Sequence, residues 1–147
     1  SKLIREAIEE YHQQRIDEAE FLKKAKEYEE AFLKGERGNI PNALLGNDTG
    51  IAIYNLITDI FKDVLSDKIE VATELALGID QVIRSVVYQN DQLMVDWQNK
   101  PDIEGKIRIA IDDYIFDLKS KYDIDLSFDD IDQTVEEALK VAKIKFV

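Results

Sequence analysis

Apolar residues return at intervals of three and four along most of this chain, the spacing that places them on one face of an α-helix. Leu3, Ile4, Ala7, Ile8 and Tyr11 predict a short amphipathic helix over about residues 2–13. After Gln14-Arg15-Ile16, Asp17 can accept from the free amides of a first turn. It opens a second helix that carries Phe21, Leu22, Ala25, Tyr28, Phe32 and Leu33 and ends at Gly35 and Gly38. The stretch "GERGNIPNALLGNDTG" has glycine, proline and asparagine at turn density and reads as a connector. It lacks the Gly-Lys-Ser/Thr ending of a phosphate-cradling loop.

From Ile51 an apolar face resumes with Ile53, Tyr54, Ile57, Ile60, Phe61, Val64 and Leu65. Ser66 is then expected to cap a helix through Ala72, Leu75, Ala76, Ile79, Ile83, Val86 and Val87, with Gly78 marking a bend or a close helix contact. The β-branched cluster in "VIRSVVY" leaves a strand as the lesser alternative. Pro101 suits a first helical position, where its missing N–H costs nothing, and Asp96 and Asn99 are candidate caps for that helix. Ile103, Ile107, Ala110, Ile111, Tyr114, Ile115 and Leu118 form the cleanest helical stripe. Ser127 caps a last helix that gathers Ile131, Val135, Ala138, Leu139 and Ala142 on one face. Lys140, Lys143 and Lys145 stand at its negative end. The expected fold is all-α, a bundle of about six helices in a single domain over residues 1–147.

Composition narrows the chemistry. A chain of 147 residues can bury a sizeable core, and without cysteine it has neither disulfides nor thiolate metal sites, which favours an intracellular protein. No apolar run approaches the roughly 20 residues of a membrane span, so the expectation is a soluble, cytoplasmic protein with no membrane partner. A net charge of −12 repels phosphate, and direct nucleic-acid binding is not expected. The amphipathic pattern is already running at Leu3, as in a fragment of a larger polypeptide.

Several motifs resemble catalytic lettering. Pro101-Asp102 with Glu104-x-Lys106 uses the letters of restriction-type nucleases, whose acids share a divalent ion. On a helix each residue turns about 100°, so Asp102 and Glu104 point about 200° apart and cannot share one; the letters read as an acidic helix start. Glu9-x-x-His12 is half of a di-iron bundle signature, and with one histidine in the chain the second half is missing. The same count leaves no Ser-His-Asp or Cys-His set, so no catalytic, cofactor-binding or metal-ligating residue is predicted. Tyr122 to Glu137 carries seven acids and no base. Asp123, Asp125 and Ser127 fit the opening of a calcium loop, but Phe128 replaces the turn glycine and Thr134 the closing glutamate. Asp123, Asp125, Asp129, Asp130 and Asp132 instead make a candidate acidic docking surface for a basic partner. Trp97, the only tryptophan, is a candidate structural plug between helices or an interface anchor.

"MVDWQNKPDIEGKIRIAIDDYIFD", residues 94–117, resembles the region near the carboxyl end of the R subunits of type I restriction–modification enzymes. There a Val-Asp-Trp precedes a charged connector and an amphipathic helix. "RIDEAEFLKKAKEYEEAF" and "IAIYNLI" resemble two further segments of that family, with Ile53 and Asn55 departing from its usual phenylalanine and aspartate; residues 35–50 align poorly. The resemblance implies a non-catalytic helical assembly domain that docks a bacterial motor and nuclease subunit onto a methyltransferase–specificity core. Its partners would be the methyltransferase and specificity subunits and the rest of the R subunit. The parent would be an ATP-dependent DNA translocase and endonuclease using ATP and Mg²⁺, whereas this fragment would hold no cofactor. The alternative is a free-standing helical adaptor with an unrelated partner.

Overall fold

The computed structural model describes residues 40–147. The two helices expected before residue 35, and His12 with them, lie outside the described residues. Within these bounds the chain is all-α apart from one small hairpin. Its helices are α1 (Asp48–Ile60), α2 (Lys62–Leu65), α3 (Ile69–Val87), α4 (Pro101–Tyr122) and α5 (Phe128–Lys145). Single turns of 3-10 helix at Asn42–Leu44 and Trp97–Asn99 precede α1 and α4. No helix of the described residues is long and apolar enough to cross a membrane.

Four long helices close a ring: α1 packs on α3, α3 on α4, α4 on α5, and α5 returns to α1. α3 and α4 are antiparallel, because Glu74 meets Lys121 at one end of their seam while Gly78 meets Tyr114 one turn further along. The short loop Asp123–Ser127 then turns α5 back against α4. This is the up-and-down arrangement in which short connections make sequential helices neighbours. Ile79, Ile83, Ile107, Ile111, Ile115, Ile131 and Leu139 fill the interior.

α1 differs from the one-faced helix its periodicity suggested. Every residue from Thr49 to Ile57 is buried, as expected of a helix that is apolar nearly all round. It also starts earlier than Ile51. The Asn47 side chain accepts from the Gly50 amide at 2.9 Å and so fixes the first turn in what read as connector. Ser66 is not a cap: it sits in helical geometry after α2, and α3 begins behind Lys68 without a side-chain cap. Neither Asp96 nor Asn99 caps α4, since the Asn99 side chain donates instead to the Asp96 carboxylate at 2.7 Å, although Pro101 does take the first helical position. Ser127 accepts from the Asp130 amide at 3.2 Å and caps α5.

The β-branched run stays helical to Val87. A hairpin that the helical reading did not foresee follows, pairing β1 (Tyr88–Gln89) with antiparallel β2 (Gln92–Leu93). Asn90 and Asp91, both at positive φ, make its two-residue turn, the conformation that suits a right-twisted hairpin.

Gly78 marks a close helix contact. A Cβ there would lie 1.9 Å from the ring of Tyr114, whose hydroxyl donates to the Glu74 carbonyl at 2.9 Å. Gly78→Ala is therefore expected to cost about 1–3 kcal/mol through overpacking. Differential scanning calorimetry should show a lower midpoint, largely recovered when Tyr114→Leu is added to make room.

Candidate functional site

The antiparallel seam of α4 and α5 runs as a ladder. At one end Lys143 Nζ lies 2.5 Å from the Glu104 carboxylate. One turn along, the Arg108 guanidinium grips Glu136 with two hydrogen bonds, of 2.8 and 3.1 Å. At the far end the rings of Phe116 and Phe128 meet at 5.7 Å between centroids, and the Lys119 ammonium stands 4.8 Å over Phe128. Between these matched rungs the register brings Asp112 near Asp132, two carboxylates with no cation paired to them among the described residues. Burial pushes the Asp112 carboxyl above its ordinary value, and the negative charges of Asp132 and Asp113 add to the effect.

Apolar side chains flank this like-charge rung on the outer surface. Ile109 is 64% exposed and Phe128 66%. On α4, Ile109, Asp112 and Asp113 share a face at spacings of three and four; on α5, Phe128 and Asp132 do the same. The result is two exposed hydrophobic side chains beside Asp112, Asp113, Asp129 and Asp132.

The five acids expected to form one surface are divided. Asp123 ends α4 in left-handed geometry, its amide bonded to the Lys119 carbonyl. Asp125 is exposed in the loop between buried Ile124 and Leu126. Asp129 is exposed in the first turn of α5, whereas Asp130 is half-buried and its carbonyl accepts from Thr134 Oγ1 at 2.8 Å. Only Asp132 is brought against the α4 acids. Periodicity missed Asp112, Asp113 and Ile109 because the first two read as ordinary solvated acids. The available signal was Ile109, an apolar residue off the buried stripe. No group of three or more acids or histidines among the described residues is placed to hold a metal ion. Chemically, the carboxylates of this surface can accept hydrogen bonds from cations, and its apolar side chains are exposed to water.

Trp97 sits elsewhere. It is 0% exposed, and its indole N–H donates to the Phe146 carbonyl at 2.8 Å, so it faces the core and not a free surface. The Phe146 carbonyl also accepts from Gln98 Nε2 at 3.2 Å. The Arg84 guanidinium stands 4.8 Å over the Phe146 ring. The Arg84 Nε–H points to the buried Asp80 carboxylate at 3.0 Å, and Asp80 also accepts from Asn47 at 3.1 Å. This chain of contacts ties the start of α1, the middle of α3, the turn before α4 and the end of α5. Comparison with protein-family models, curated proteins and solved structures found no match.

Two outcomes follow from this geometry. Trp97→Ala is expected to cost about 3–5 kcal/mol by denaturant unfolding, whereas Trp97→Phe should cost clearly less because Gln98 still satisfies the Phe146 carbonyl. Asp112 keeps its proton to a higher pH folded than unfolded. That contribution to stability is therefore present at low pH and lost as pH rises through the folded-state value. Asp112→Asn should raise the melting midpoint at neutral pH by about 1–3 °C, and the gain should vanish as pH falls through the carboxylate range.

Proposed function

We propose that this chain is the helical assembly domain of the R subunit of a type I restriction–modification enzyme, docking the motor and nuclease subunit onto the methyltransferase–specificity core. One observation carries the reading: the Val95-Asp96-Trp97 segment with its charged connector and following amphipathic helix, which resembles the carboxyl-terminal region of that family. The physical setting of the segment supports it. Trp97 is held in the core while Val95 is 85% exposed, so one tripeptide locks a helix junction and leaves an apolar side chain outside. The acidic and apolar face of α4 and α5 supports a docking role, because exposed hydrophobic groups beside unneutralised carboxylates suit a basic protein partner. In this reading the domain performs no chemistry. ATP and Mg²⁺ serve the other modules of a cytoplasmic parent enzyme that translocates and cleaves DNA.

Analytical ultracentrifugation of the 147-residue chain with the cognate methyltransferase–specificity complex tests the proposal. Association should weaken as salt is raised, and Asp129→Lys with Asp132→Lys should reduce affinity by at least about tenfold, the effect of losing roughly 1.4 kcal/mol. No association at tens of micromolar, with the chain folded, would remove the docking role from this domain.

A further inference from the structure

A second surface lies on the opposite side of α4, where α3 faces outward. A depression of about 590 Å³ follows α3 between Pro41 and Tyr114. It meets a neighbour of about 420 Å³ that reaches Tyr122 and Ile124, and the two share Ile69 and Glu70. Ile69, 58% exposed, stands where the two depressions join and gives their floor an apolar side chain open to a partner. The walls are fixed: Tyr114 is wedged against Gly78, and the Glu74 carboxylate is held by Lys121 at 2.9 Å and by the Tyr122 hydroxyl. Those two hydrogen bonds, Lys121 first, also hold the Glu74 carboxyl below its ordinary value, so it is ionised at neutral pH.

We propose that this groove seats an amphipathic helix with a basic flank, supplied by a partner protein. The lining positions Glu70, Thr73, Leu77 and Gln81 recur at spacings of three and four, so the groove is straight and spans roughly 16 Å, about three helical turns. A helix lying alongside α3 matches that shape and presents apolar anchors at the same spacing. A strand has nothing to pair with, since the backbone of α3 is bonded within its own helix. Charge selects the flank. Glu74 is already neutralised by Lys121, but Asp67 and Glu70 are exposed at the rim and have no ion pair among the described residues, against the single ammonium of Lys68. A second copy of this chain, at net charge −12, is a poor occupant, and nucleic acid a worse one.

The proposal rests on the docking reading only in taking a protein as the partner. The chain has no cysteine, so Gln81→Cys at the groove end can be labelled singly with an environment-sensitive dye. The probe is a synthetic alanine-rich helical peptide of about sixteen residues with leucines at i, i+4, i+7 and i+11 and lysines beside them. A saturable blue shift at micromolar peptide is expected. It should weaken at least about tenfold when glutamates replace the lysines, when the leucines are scattered, or with Ile69→Asp, and about threefold or more with Glu70→Lys. Equal responses to the ordered and scattered peptides would overturn the proposal. So would an emission already blue-shifted and unmoved by peptide, which would give the groove to another part of this chain or to a second copy. Ile69→Asp that abolishes the peptide response yet leaves association with the methyltransferase–specificity core intact supports a groove with its own partner, so the two readings stand or fall separately.

Discussion

The hydrogen bond from the Trp97 indole to the Phe146 carbonyl joins residues 49 apart in sequence and pins the turn before α4 to the end of α5. Gln98, in the same turn, donates to the same carbonyl, so two neighbouring side chains share one anchor. Burying an indole is favourable only when its N–H is satisfied, and the one carbonyl that does so belongs to the residue just past α5. Arg84 then covers the Phe146 ring, and its charge is balanced by Asp80, which also holds Asn47. A buried carboxylate is costly unless paired and hydrogen-bonded, and here both partners are in place.

The seam of α4 and α5 shows how the same scaffold produces a surface. Glu104 with Lys143 and Arg108 with Glu136 satisfy each other across the two helices, which fixes the register of everything beyond them. That register sets Asp112 against Asp132 and leaves Ile109 and Phe128 in water. Two matched rungs and an aromatic rung outweigh one repulsive rung, since exposed ion pairs and single cross-helix repulsions are each worth only a fraction of a kcal/mol to about one. The repulsion is tolerable in the isolated chain and would be relieved by a cation from outside.

Much of the fold was legible in the residues. The stripe from Ile103 to Leu118, Pro101 at its start and Ser127 before the last helix are local signals, and local hydrogen bonding honours them. The misses have local causes too. Thr49 and Gly50 are weak helix formers, which hid a start that Asn47 enforces, and Ser66 looked like a cap although the chain there is still helical from α2. A hairpin of two paired residues per strand is too short for an alternating pattern, and only Asn90-Asp91 marked it. The site was less legible than the fold, because Asp112 meets Asp132 through the register of two helices, which no single segment encodes.

Ring closure also has a temporal side. The neighbours α3 with α4 and α4 with α5 are consecutive long helices and can pair as soon as each is made, whereas α1 and α5 are separated by most of the described chain. Contacts so distant in sequence form late, because a long loop must close first. On a ribosome, α1, apolar nearly all round, therefore waits for α5 before its core position is complete. During that interval part of its apolar surface stays uncovered, the kind of surface that chaperones shield.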